Sequence, residues 1–213
     1  MRVLAVPVKP LDRAKHRLSS ILSPAERAIL TLAMLDDVLD ACLAQSGWDV
    51  WVVSRAKEAL EAASRRGATP LPERGRSLLA AIGQVEGEVG PAPSELAVVL
   101  ADLPMITAPA LHLALGRPGP VVTAPAESDG GTNLLLRRPP TVIPARFGRS
   151  SFAKHRAEAY RAGLTFQEVR TPELSFDLDR PSDLPAVIET GAGGWTRAAC
   201  LAMGLPERLR VRA

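Results

Sequence analysis

The chain has 213 residues, 46% of them apolar and 23% charged, with a net charge of +3 and a pI near 9.2. This length predicts one domain spanning residues 1–213, able to bury roughly 70% of its extended-chain surface without a disulfide or structural metal. The composition excludes general disorder, and the 4% aromatic content is too low for a base-stacking nucleic-acid platform.

The longest apolar runs, Val3–Val8 and Leu96–Ala101, reach about a third of a membrane span, so no membrane association is expected. Val3–Val8 has the form of a buried parallel strand. Ser23-Pro24-Ala25-Glu26 is a capping box with proline at the first helical position, and the helix it opens ends near Gly47. A strand at Asp49–Val53 comes next, then helices at Lys57–Arg66 and Ser77–Val85, with the span 83–94 as the loosest segment. Leu96–Leu100 is the most apolar strand and the expected centre of the sheet. Beyond it lie a helix at Ala108–Leu115, strands at Val121–Ala124 and Leu134–Leu136, and a helix at Ser150–Ala162. Phe166–Val169 and Leu174–Leu178 read as late strands, and Pro181–Thr190 and Trp195–Met203 as helices. The glycines at 191, 193 and 194 between those helices read as a hinge. Cys42 and Cys200 fall in helical segments at no metal-binding spacing, as buried thiols of a reducing compartment would, so the expected location is the cytoplasm.

Alternating strands and helices with right-handed crossovers predict an α/β three-layer sandwich on a mainly parallel, mixed sheet. Ligands then sit beyond the carboxyl ends of the strands, which directs attention to the residues just after Val8, Leu100, Ala124 and Leu178. After the first strand, residues 9–17 hold Lys9, Arg13, Lys15, Arg17 and His16, a cationic loop where a phosphate chain would rest, with a solvated basic loop as the competing reading. Only four lysines stand against 22 arginines, and two of the four lie here. No glycine-rich dinucleotide fingerprint or Walker sequence accompanies them.

Asp102 comes directly after the central strand, where a carboxylate can hold Mg²⁺ against phosphates or simply start a turn. Asp177 and Asp179, two apart in a strand, would share a face, and a cation between them relieves their repulsion; the competing reading is that Asp179 only initiates the turn into the helix near Pro181. The turn Asp129-Gly130-Gly131-Thr132-Asn133 and the segment Gly148-Arg149-Ser150-Ser151 at a helix start are candidate anion sites, with a hairpin turn and an N-cap serine as the competing readings. No Ser-His-Asp, Cys-His or zinc arrangement has supporting context.

Taken in order, Val6-Pro7-Val8-Lys9, Ala14-Lys15-His16-Arg17-Leu18, Ala33-Met34-Leu35-Asp36-Asp37-Val38-Leu39, Val52-Val53-Ser54-Arg55, Ala101-Asp102-Leu103-Pro104, Asp129-Gly130-Gly131-Thr132-Asn133, Phe147-Gly148 with Ser151-Phe152 and His155, and Asp177-Leu178-Asp179 cover nearly the whole chain. They resemble the phosphoenolpyruvate/2-phospho-L-lactate guanylyltransferases of coenzyme F420 biosynthesis. The resemblance implies a Rossmann-like nucleotidyltransferase fold and an enzyme that joins GTP to a small phosphorylated acid, releasing pyrophosphate. It implies Mg²⁺ held by Asp102, Asp177 and Asp179, the phosphoacid bound by Thr132, Gly148 and Ser151, and the GTP phosphates gripped by Lys9, Lys15 and Arg17. Lys9, Lys15 and Asp102 become the expected catalytic residues. A hand-off of the product to the downstream F420 transferase is implied too, with no nucleic-acid or membrane partner. In one place the chain departs from its relatives: Gly75-Arg76-Ser77-Leu78-Leu79 lacks the Leu-Asn pair that usually opens this helix, so no residue for reading the base is carried over.

Elementary chemistry agrees with that job. The attacking phosphate is already ionised near neutral pH, so the protein supplies alignment and charge neutralisation rather than a covalent nucleophile. Two other readings stand beside it: a nucleotidyltransferase for 3-phosphoglycerate, a sugar phosphate or molybdopterin, and a non-catalytic nucleotide-binding module. A Leu-Ala-Gly-Gly opening would mark the sugar-phosphate or molybdopterin type and is missing here, and loss of the metal carboxylates would mark the module, whereas all three are present. Among phosphoacids, the bacterial character of the composition favours phosphoenolpyruvate.

Overall fold

The computed structural model describes residues 1–90, 94–190 and 194–210, so the hinge expected at Gly191 and Gly193 lies outside the described residues. Strands β1 (Arg2–Val8), β2 (Asp49–Ser54), β3 (Thr69–Pro72), β4 (Glu95–Val99), β5 (Val121–Pro125), β6 (Thr132–Arg137) and β7 (Phe166–Glu168) form one sheet of order β3-β2-β1-β4-β6-β5-β7. All the pairings are parallel except those of β6, which runs antiparallel to β4 and β5. The expected central strand, β4, is the middle one of the seven.

Period-2 alternation sorts the side chains of β1 to the two faces. Leu4, Val6 and Val8 pack with α1 (Pro24–Leu43), α2 (Lys57–Arg66) and α4 (Ala108–Leu115). Val3 and Ala5 pack with Ala81, Ile82 and Val85 of α3 (Leu78–Val89), which continues through Gly83 and Gly87 past its expected end. Farther along that second face, Val121 and Leu135 meet Ala159 of α5 (Ser151–Arg161). Each of the Val, Leu and Ile side chains fully withdrawn from water contributes about 1.5–3 kcal/mol, and each alanine methyl about 0.8 kcal/mol, so both faces of the sheet are held.

Local signals set the ends of these elements. The Ser23 hydroxyl accepts from the Glu26 N–H at 3.3 Å, and the Glu26 carboxylate accepts from the Ser23 N–H at 2.7 Å. Gly67, at φ +85, closes α2 in the left-handed region that only glycine enters without strain. Cys42 and Cys200 are both buried free thiols; burial pushes the former up to about 12, and burial with the nearby Asp37 charge pushes the latter up to about 11.

Three expectations are corrected. Thr69–Pro72 is a strand where none was expected; it occupies the sheet edge, where prolines forfeit few ladder hydrogen bonds. The strand expected at Leu174–Leu178 is instead a helical turn, α6 (Pro172–Ser175), continued by extended chain outside the sheet. Proline at the first helical position, after an extended Thr171, starts that turn, and the alternation of Leu174 and Leu178 serves burial in two core clusters rather than strand pairing. The helix expected over 181–190 divides into a 3-10 turn, Pro181–Asp183, and α7 (Leu184–Glu189).

The Asp36-Asp37 pair has a structural use. Asp37, 6% exposed, accepts from the N–H groups of Trp195 and Thr196 at 2.8 and 2.9 Å and from the Thr196 hydroxyl at 2.5 Å, capping α8 (Gly194–Ala202) from the side of α1. Asp37→Ala is therefore expected to cost about 2–3 kcal/mol. A thermal melt should show Tm lowered by roughly 5–10 °C; an unchanged Tm would mean that α8 docks without this cap. The last helix, α9 (Leu205–Arg210), has no counterpart among the elements expected from the sequence.

Candidate active site

Beyond the carboxyl end of β1 the chain makes a 3-10 turn at Leu11–Arg13 and then places Lys15 in the left-handed region, φ 51 and ψ 38. A non-glycine residue held there costs of order 1 kcal/mol and persists only where its surroundings over-determine it. Those surroundings are two carboxylates. The Lys15 ammonium, its side chain 7% exposed, donates to Asp102 Oδ2 and to Asp179 Oδ1, each at 2.8 Å. Arg17 reaches Asp179 Oδ2 at 3.3 Å. The backbone makes the same connection, because the Leu178 N–H donates to the Asp102 carbonyl at 3.1 Å. Asp102 and the 177–179 segment, 75 residues apart, are thus side by side.

Asp177 does not share a strand face with Asp179, since the segment is not a strand. Its two oxygens accept from the Ser128 hydroxyl at 2.9 and 3.0 Å. Burial pushes its pKa up to about 6, the Ser128 hydrogen bond opposes this, and the charges of Asp102 and Asp179 add to it. For Asp179, burial alone would raise the pKa, but the Lys15 ammonium and Arg17 outweigh it and hold the carboxyl below its ordinary value. Lys15 shows the mirror effect: burial would lower it, and the two carboxylates together raise it.

Lys9, Lys15, Arg17, Asp102 and Asp179 line a cavity of about 870 Å³. The same cavity extends across the carboxyl ends of β2 and β3 to Arg55, Glu73, Arg76 and Ser77. Among the described residues no group of three or more His, Cys, Asp or Glu side chains is disposed to hold a metal ion as the chain stands, and Lys15 fills the space between Asp102 and Asp179. The donor chemistry nevertheless suits a hard cation. Asp102 Oδ1 is buried without a hydrogen-bond partner, and Asp177 carries repulsion from both neighbouring carboxylates.

Thr132, Gly148 and Ser151 form a second group. Strand β6 runs antiparallel, so its amino end lies where the parallel strands finish, and the Leu100 N–H donates to the Asn133 carbonyl at 3.0 Å. The Ser151 hydroxyl donates to Thr132 Oγ1 at 3.0 Å, and the Ser151 N–H to the Gly148 carbonyl at 3.0 Å. Gly148, at φ +116, needs to be glycine. His155, completely buried, accepts the Arg146 N–H on Nε2 at 2.8 Å, so its proton is on Nδ1, 3.0 Å from Thr132 Oγ1. Burial first, and then the charges of Arg137, Arg146 and Lys154, push His155 down to about 3 and keep it neutral. Thr132 Oγ1 accepts from both neighbours, which leaves its own hydrogen to donate.

The N-cap expectation at Ser150 and Ser151 is corrected: Ser150 takes φ 55 and makes no side-chain cap, and Ser151 spends its hydroxyl on Thr132. The Gly131 N–H is likewise taken by Asp129 Oδ1 at 2.7 Å rather than offered to an anion. The structure gathers Lys9, Lys15, Arg17, Asp102 and Asp179 around the cavity and Thr132, Gly148 and Ser151 in the second group, with Asp177 and Ser128 between them. Ser128, Glu73 and the orienting part of His155 are not found from the sequence. The glutamate carries no signal there because the strand before it, β3, is not legible in the sequence.

The sequence pattern of a family described as "Guanylyl transferase CofC like" matches residues 1–206. The chain belongs to this CofC-like guanylyltransferase family. A phosphoenolpyruvate guanylyltransferase of Sphaerobacter thermophilus is 43% identical over 187 residues, 85% of this chain and 90% of that protein. A 2-phospho-L-lactate guanylyltransferase of Methanocaldococcus sp. is 32% identical over 208 residues, 96% of this chain and 88% of its own length. In fold, the CofC-like chain is similar to a solved nucleotidyl transferase from Methanothermobacter, with TM-score 0.60 at 15% identity over 88% of this chain and 95% of that one. No helix of the described residues is long and apolar enough to cross a membrane.

Proposed function

We propose that this chain is a guanylyltransferase that joins GTP to phosphoenolpyruvate, releases pyrophosphate and works with Mg²⁺ held by Asp102, Asp177 and Asp179. The observation that carries the reading is the Lys15 ammonium clamped between Asp102 and Asp179 in the wall of the cavity. The names of the relatives supply the substrate classes.

In the reaction, a phosphate oxygen of the acid forms a bond to the α-phosphorus of GTP, and the bond from that phosphorus to the β-phosphate oxygen breaks. The electron pair leaves with pyrophosphate. A phosphate monoester has its second pKa near 6, so the attacking oxygen needs no base. Lys9, Lys15 and Arg17 offset the charge of the triphosphate, and the Thr132 and Ser151 hydroxyls with the Gly148 loop orient the acid. A bound divalent ion would supply further positive charge to the α-phosphate and the departing pyrophosphate. The product, a reactive phosphoanhydride, suits hand-off to the next transferase of the pathway.

The test is pyrophosphate release across four nucleoside triphosphates and three phosphoacids, in Mg²⁺ and after chelation. GTP with phosphoenolpyruvate should lead, and chelation should stop turnover; inactivity with every phosphoacid would overturn the reading. Within that assay, Ser151→Ala is expected to raise the phosphoacid KM about tenfold and leave the nucleotide KM nearly unchanged. An equal rise in both would misplace the phosphoacid pocket.

A further inference from the structure

The far end of the cavity holds chemistry that phosphate binding does not use. Glu73 comes directly after edge strand β3, two strands away from β1, which places it about 10 Å across the sheet from the Lys15 end. Arg55 comes directly after β2, between the two. Both side chains line the cavity, and the Arg55 charge acts on the Glu73 carboxylate. Among the described residues neither the Glu73 carboxylate nor the Arg55 guanidinium makes a hydrogen bond or an ion pair. Glu73 is half-buried, with burial pushing its pKa upward, so its carboxylate has lost part of its water without gaining a hydrogen-bond donor.

The loop that presents Glu73 is fixed on several sides. The Glu73 N–H donates to the Ser54 carbonyl at 2.8 Å, and the Arg74 N–H to Gln84 Oε1 at 2.9 Å. Gly75 packs so closely on α3 that a Cβ there would lie 2.4 Å from Ala80 Cβ, and Ser77 caps α3 by accepting from the Ala80 N–H at 3.2 Å. The backbone that presents Glu73 is therefore held in place at the cavity wall, with the Arg55 side chain near it.

We propose that Glu73 and Arg55 read the guanine base: the Glu73 carboxylate accepts from N1–H and the 2-amino group, and the Arg55 guanidinium donates to O6. Guanine presents two adjacent donors next to an acceptor on that edge, which this pair complements. Adenine and cytosine each place an unprotonated ring nitrogen against the carboxylate, and uracil offers one donor between two carbonyls. Ionised Glu73 cannot donate to any of these acceptors, so the wrong base leaves its charge unpaired beneath the base. The inference rests on GTP as the nucleotide and supplies the base-reading group that the missing Leu-Asn pair left unassigned.

Inosine triphosphate, which lacks only the 2-amino group, is the probe. In the unaltered chain kcat/KM should be about tenfold lower with ITP than with GTP. Glu73→Gln should lower kcat/KM for GTP about 10- to 100-fold, mostly through the nucleotide KM, and bring the GTP:ITP ratio near one. Arg55→Leu should lower GTP and ITP alike, since both carry O6, and leave their ratio standing. Circular dichroism melts check that each variant folds. A GTP:ITP ratio unchanged by Glu73→Gln overturns the inference, and a loss with GTP that disappears with 2′-deoxy-GTP reassigns Glu73 to the ribose. Should the unaltered chain not turn over GTP at all, the guanylyltransferase reading fails first, an outcome distinct from a preserved ratio.

Discussion

Lys15→Met is expected to lower pyrophosphate release by about 10²–10³-fold, with KM for the nucleotide raised as well. Methionine keeps most of the unbranched chain, one atom shorter, and removes the charge, which leaves Asp102 Oδ2 and Asp179 Oδ1 without the donor that each now holds at 2.8 Å. The stability cost should be about 2 kcal/mol, below the ~3–5 kcal/mol of a fully buried pair, because the two carboxylates remain 26% and 33% exposed. Its pH dependence has a definite sign. Asp179 is held below its ordinary value in the folded chain, so its stabilisation is present above pH ~4 and lost as pH falls. Lys15 is raised, so its share persists to about pH 10 and is lost above. The variant should therefore lose stability between those limits and little at pH 3. Lys15→Arg should not rescue turnover, because a planar fork cannot occupy a left-handed residue's narrow approach to both oxygens as an ammonium does. Wild-type turnover in Lys15→Met would remove this lysine from the reaction.

The same residue marks where sequence reasoning stops. Composition and position place a cation after β1, but nothing in the local sequence shows that Lys15 adopts a strained backbone and points inward while Lys9 stays exposed. The capping box at Ser23 and the glycine stop at Gly67 are legible because both ends of each interaction lie within a few residues. Edge strand β3 is not, since two prolines in four residues read as a loop until the sheet order shows that its outer edge is unpaired. The 174–178 segment misleads for a related reason: its alternation is real, but the buried faces of Leu174 and Leu178 meet two different core clusters. Thr132, Gly148 and Ser151 are found through the resemblance, whereas the orienting histidine behind Thr132 depends on a hydrogen bond to the Arg146 backbone that no motif records.

Asp177→Asn should separate function from stability. The amide keeps the shape and can still meet the Ser128 hydroxyl, but it removes one of the three charges proposed to hold the divalent ion. Pyrophosphate release should fall by at least about 10³-fold, since charge stabilisation by a bound ion is worth several kcal/mol. In the presence of a chelator the variant should nevertheless be more stable near pH 7. With its pKa raised to about 6, ionised Asp177 opposes folding at neutral pH, by about 2 kcal/mol against an unfolded carboxyl near 3.9. The native chain should regain that stability as pH falls from 7 through 6 toward 4, opposite in sign to Asp179, and the variant should show no such gain. Melts from pH 4 to 8, with and without Mg²⁺, measure both effects. A variant that turns over normally would dismiss Asp177 from the site, and one that is less stable at pH 7 would show that its charge is compensated in the folded chain. The expected combination, lower activity with higher stability, is what a site built to hold a cation produces when one of its repelling charges is taken away.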